Sequence, residues 1–202
     1  MSRAVAPIVR AAAALLAWPA MPAHAHLVET GFGAFYDGIA HVVLTPADLL
    51  AVVALALLAG QRGAQSARWG LLALPSAWLA GGAIGAAFPA TAMLPVLTTL
   101  TFGLAGALVA LNARLPAAGV AFFALAAGLL HGYMNGATLA PGGASTLALA
   151  GAATAAFCLF AILAAQVTII QAGWARIAVR VAGSWVSAAG ILMLGWLARG
   201  SL

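Results

Sequence analysis

Gly38-Ile-Ala-His41-Val-Val-Leu-Thr45-Pro46-Ala-Asp48-Leu-Leu-Ala-Val-Val-Ala-Leu-Ala-Leu-Leu-Ala-Gly60 is an apolar run carrying one histidine and one carboxylate. At about 1.5 Å per residue, a helix of this length crosses the ~30 Å hydrocarbon core of a bilayer. An acid at that depth costs a few kcal/mol or more by insertion estimates, so it needs a partner and usually has a task. The rest of the chain is built to the same rule. Of 202 residues, 65% are hydrophobic and 5% are charged, against about 25% charged in soluble domains. So few charges cannot cover a water-facing surface, which leaves lipid as the main solvent.

Beyond the first run, apolar blocks recur at 69–88, 93–111, 115–133, 146–170 and 177–197. Each is near the ~20 residues of a transmembrane helix. The connectors are short and rich in turn formers. The expected fold is therefore all-α: a polytopic membrane helix bundle of about six transmembrane helices, with residues 26–202 as one transmembrane domain. Pro89 and Pro95 lie close to the junction of the second and third blocks, which leaves five crossings as the alternative.

Residues 1–25 read as a cleaved signal peptide. Arg3 and Arg10 form its basic region, residues 11–18 its short apolar core, and Ala23-His24-Ala25 its cleavage site. His26 would then be the mature N-terminus, where a free amine and an imidazole on one residue can chelate a metal ion. With that end periplasmic, Arg62, Arg68, Arg114, Arg176 and Arg180 fall on the cytoplasmic side and only Arg199 outside. This agrees with the positive-inside rule and with a bacterial inner membrane. The arginines are scattered singly, without the basic aromatic patch of a nucleic-acid binder. Cys158 is the one cysteine, so no intrachain disulfide and no CxxC motif exists. Close packing between helices is expected at Gly81, Gly82, Gly85, Gly103, Gly106, Gly183 and Gly190.

The polar residues are segregated. The three acids are Glu29, Asp37 and Asp48, and His24, His26 and His41 lie in or just before the same stretch. On one continuous helix, Asp37, His41 and Asp48 share a face and form a polar stripe running roughly 16 Å inward. Thr45-Pro46 interrupts that helix, and broken helices at membrane depth often mark ion sites in transporters. The second cluster is His131-Gly-Tyr-Met-Asn135, where His131 and Asn135 are one turn apart. Imidazole, carboxylate and amide groups suit Ni²⁺, Co²⁺ or Zn²⁺ better than Cu⁺.

The stretch from Glu29 through His41 to Asp48, together with His131-Gly132, resembles the HupE/UreJ family of hydrogenase- and urease-associated membrane proteins, regarded as nickel or cobalt permeases. The resemblance spans the mature chain in layout and looks most like a divergent branch. Val42 stands where the better-known branch has proline after its first histidine, and Leu49 where it has a second. Tyr133, Met134 and Asn135 replace positions of its later histidine-rich motif. By residue, the resemblance implies His41, Asp48 and His131 as metal ligands. Asp37, His26 and Asn135 rest on geometry, and His26, Glu29 and Asp37 would capture the ion outside.

The function expected is a secondary permease for Ni²⁺ or Co²⁺, with Zn²⁺ the next choice. The alternative is a non-transporting accessory protein for hydrogenase or urease maturation. The partners expected are the bilayer, the metal ion as substrate and metalloenzyme maturation proteins. No prosthetic group and no nucleic acid are expected. Neither GxxxxGK[ST] nor HExxH occurs, so neither an ATPase nor a zinc-protease activity is expected, and the chain reads as a non-enzyme. Intact mass of the purified protein checks the processing: loss of residues 1–25 is the expected result, and retention of Met1 removes the amino-terminal chelate.

Overall fold

The computed structural model describes residues 30–89, 94–139 and 145–199. Among them are seven helices: α1 (Ala34–Leu44), α2 (Pro46–Gln61), α3 (Ala64–Ala87), α4 (Leu94–Ala110), α5 (Ala117–Leu139), α6 (Ser145–Thr168) and α7 (Gly173–Arg199). The described residues contain no strand. The signal segment, His26 and Glu29 lie outside the described residues. Four helices, α3, α5, α6 and α7, are long and apolar enough to cross a membrane. α1 and α2 together make a fifth candidate, bent by 74°. α4 is apolar but has 17 residues, about 25 Å of helix. The chain is a helical membrane protein.

The single helix expected over 38–60 is two helices. The cause is local. Proline disfavours helical backbone in the residue before it and fits the first position of a new helix, where its missing N–H is not needed. Thr45 accordingly has φ −87° and ψ 108°, and Pro46 opens α2. The expected stripe of Asp37, His41 and Asp48 does not form, because the bend turns the two halves onto different axes. Elsewhere α3, α5 and α7 run longer than the apolar blocks expected, and α4 and α6 slightly shorter. α5 continues past Tyr133 to Leu139 and carries Asn135 within it. α3 starts at Ala64, which places Arg68 inside the helix.

α2 is the hub. Ala51, Val52 and every residue from Ala54 to Gly60 are buried, as a helix apolar on all sides must be. It contacts every other helix. Around it the others pack mainly as three pairs, α1 with α6, α3 with α5, and α4 with α7. Each pair is joined at glycines. A Cβ on Gly38 of α1 would lie 1.9 Å from the Ala148 carbonyl oxygen of α6, and one on Gly151 of α6 would lie 1.9 Å from that of Phe35. Between α4 and α7, a Cβ on Gly106 would meet the Gly183 oxygen at 2.8 Å, and one on Gly190 the Gly103 Cα at 2.8 Å.

The α3–α5 seam is the most regular. Gly81 and Gly85 approach the Leu129 and Tyr133 oxygens, at 2.1 and 2.0 Å from a notional Cβ. In return Gly128, Gly132 and Gly136 approach the Leu74, Trp78 and Gly82 oxygens, at 2.5, 2.1 and 2.0 Å. Lipid offers no hydrophobic drive for helix association, so close backbone approach and its dispersion gain replace it. Of the expected seam residues, Gly82 faces the Leu149 side chain of α6 instead of α5.

Gly81→Ala should therefore lower thermal stability in detergent by about 1–3 kcal/mol through overpacking. Gly195→Ala, on a helix position with nothing within 4 Å, should leave it unchanged or raise it by up to ~1 kcal/mol through helix propensity. Equal midpoints for the two variants would contradict the seam.

Candidate functional site

The bend between α1 and α2 places Asp48 at the third position of α2. A carboxylate in the first turn meets the positive end of the helix dipole and unpaired backbone N–H groups. Among the described residues no arginine pairs with it there. Instead, α5 does the work. Its glycine face is pressed on α3, and His131 and Asn135, each one residue before a seam glycine, are rotated about 100° toward the interior. Asp48 is 3% exposed, Asn135 2% and His131 0%.

These three side chains form one hydrogen-bonded unit. His131 Nδ1 lies 2.7 Å from Asp48 Oδ1. Asn135 Nδ2 donates to Asp48 Oδ2 at 2.7 Å and to the His131 carbonyl at 3.0 Å. On the far side of the ring, His131 Nε2 is 2.8 Å from the Thr101 hydroxyl of α4, whose oxygen is also 2.7 Å from the Thr98 carbonyl. With Asp48 ionised, Nδ1 must carry hydrogen. Thr101 then completes either ring state: it donates to Nε2 of a neutral imidazole, or accepts from Nε2 of an imidazolium while donating to Thr98. The His131 ring is thus fully hydrogen-bonded with one proton more or one fewer.

Trp78 of α3 stacks on the His131 ring, with centroids 5.7 Å apart and planes inclined by 29°. His41 of α1 approaches from the other side of the bend. Its Nε2 is 4.0 Å from Asp48 Oδ2, and its side chain is 14% exposed, so it stands at the rim. Two buried polar atoms here have no hydrogen-bond partner: Asn135 Oδ1, an acceptor, and Trp78 Nε1, a donor. Five helices, α1 to α5, therefore converge on one polar point in an apolar core.

Asp48, His131 and Asn135 are in direct contact, and His41 stands beside them. Asp37 is elsewhere. Its Oδ1 accepts from the backbone N–H and hydroxyl of Thr30, both at 2.6 Å, which ties the chain entering α1 back onto that helix. His26 and Glu29 lie outside the described residues. Sequence reasoning missed Thr101 and Trp78. The signal for Thr101 was present in Thr98-Thr99-Leu100-Thr101, a polar run in an apolar helix. Trp78 had no comparable signal. Among the described residues, no group of three or more His, Cys, Asp or Glu side chains is set to hold a metal ion. Both ring nitrogens of His131 are hydrogen-bonded within the cluster.

A family model described as HupE / UreJ protein matches residues 13–193. No curated protein and no solved structure matches the chain.

Proposed function

The chain belongs to the HupE/UreJ family, and on that premise we propose that it is a secondary permease for a divalent transition-metal cation, Ni²⁺ or Co²⁺, whose transient site centres on Asp48. The observation that carries this reading is the buried Asp48 carboxylate at a helix break, with Asn135 on one oxygen and His41 at its rim. A purely structural buried pair can be replaced as a whole by apolar residues at little cost, whereas a buried acid in a membrane helix has reason to be kept when it meets a cation.

The donors fit such a cargo. Asp48 offers carboxylate oxygens, His41 an imidazole nitrogen, and Asn135 Oδ1 an acceptor that has no other partner. This nitrogen and oxygen set suits Ni²⁺, Co²⁺ and Zn²⁺. His41, being part exposed, receives the ion first. The ion then competes with His131 for Asp48. Metal ligands bind deprotonated, so the cluster releases a proton as metal enters, and Thr101 keeps the ring hydrogen-bonded after that loss. His131 acts as ligand or as the group that balances the Asp48 charge. Entry from the periplasm is favoured by the membrane potential, by ~2.3 kcal/mol per charge per 100 mV. The inner membrane, the periplasmic N-terminus and six crossings, with α4 as the short one, belong to the same reading. So does capture by Asp37, together with His26 and Glu29, ahead of the site, and so does the absence of catalysis.

One observation favours a second reading. Because both nitrogens of His131 are bonded already, the Asp48–His131 pair also suits a fixed pin inside a non-transporting accessory protein for metalloenzyme maturation. Uptake of labelled Ni²⁺ and Co²⁺ separates the two. Cells expressing the protein should accumulate one of these ions, and Asp48→Ala and His131→Ala should each reduce uptake at least about tenfold at matched membrane abundance. Uptake that persists in Asp48→Ala, or is absent in the intact protein, favours the accessory reading.

A further inference from the structure

The other end of α2 carries a second polar site, some 20 Å from Asp48 at ~1.5 Å per residue. There the α2–α3 turn, the α4–α5 turn and the α6–α7 connection enclose a cavity of about 350 Å³ lined by Arg62, Asn112, Gln171, Arg176 and Arg180. Three guanidinium groups share this space. No carboxylate answers them among the described residues: Asp37 is bonded to Thr30, Asp48 to His131 and Asn135, and the only ion pairs are those of Asp48 with histidine.

Most of the arginine donors are unspent. Arg62 gives one Nη2 hydrogen to Asn112 Oδ1, and its buried Nε has no partner. Arg180 Nε donates to the Ala110 carbonyl at 2.9 Å, capping the end of α4. The Arg176 side chain makes no hydrogen bond or ion pair to another described residue. Burial, and then the charge of Arg114, push the Arg62 pKa down, the direction expected where cations crowd without a counter-ion. The cavity also has an apolar shoulder in Ile170 and Val179. Trp174, 76% exposed, stands two residues before Arg176, and tryptophan prefers the headgroup level of a bilayer.

We propose that this cavity is a binding site for a phosphate-bearing anion, held by Arg62, Arg176 and Arg180. Guanidinium forks match phosphate oxygens in pairs, and basic pockets between transmembrane helices take anionic headgroups. The site is independent of the cation reading at Asp48. An anionic phospholipid headgroup and free phosphate share the chemistry.

The test uses the full chain in a neutral detergent at constant ionic strength. Short-chain phosphatidylglycerol, short-chain phosphatidylcholine and inorganic phosphate are titrated separately, followed by native mass spectrometry and the thermal midpoint. Phosphatidylglycerol should bind and raise the midpoint, and Arg176→Gln should weaken that binding about tenfold, the loss of one charge-assisted contact. Arg176 holds no other element, so this variant should keep the unliganded midpoint. A matching response to inorganic phosphate identifies a free-anion site, and its absence identifies a lipid site; either supports the proposal. Equal binding of phosphatidylcholine and phosphatidylglycerol, equal binding by Arg176→Gln, or no binding of any probe overturns it.

Discussion

The bond between Asp48 and His131 joins positions 83 residues apart and is fully buried, and the rest of the structure is arranged around what it requires. A carboxylate cannot stay ionised in an apolar interior without a partner of its own. His131 and Asn135 supply that partner from one helix, Thr101 completes the ring from another, and Trp78 covers its face. Losing Asp48 or His131 leaves the other without its closest partner in an apolar interior. Removing either side of such a pair costs about 3–5 kcal/mol.

Two devices hold the pair in place. The proline break makes Asp48 the third residue of a new helix, where the dipole favours negative charge. The glycine rows bring α5 to backbone distance from α3, so that the positions next to the glycines must face inward. Neither device is chemical in itself. Each converts small residues and a fixed φ into a placement that a flexible side chain alone could not reach. Asymmetry along the bundle follows as well: the described acids lie toward one end of α2, and an arginine cavity without carboxylates lies at the other.

Much of this was legible in the sequence, for physical reasons. An apolar composition with rare charges leaves no choice but a membrane bundle, and the family resemblance was carried by His41, Asp48 and His131-Gly132. Thr45-Pro46 announced an interruption, since proline acts through local sterics. The size of the bend did not follow, because it is decided by what α1 and α2 pack against. For that reason the single-axis stripe was wrong for Asp37 while His41 and Asp48 still meet. Gly81 and Gly85 read correctly as a seam. The matching row Gly128, Gly132 and Gly136 is spaced by four in the sequence and was hidden only by the abundance of glycine. Trp78 was not legible and Thr101 only as part of a polar run in an apolar helix, since their role depends on α3 and α4 facing a histidine 30 or more residues away.

The central claim is that Asp48 and its neighbours receive a divalent cation. X-ray absorption at the nickel edge, on purified protein carrying one equivalent of Ni²⁺, tests it most directly against Asp48→Asn. The account predicts a nitrogen and oxygen shell with imidazole scattering in the intact protein, and loss of that shell in the variant. An identical nickel spectrum in both proteins would place the metal elsewhere and contradict the account.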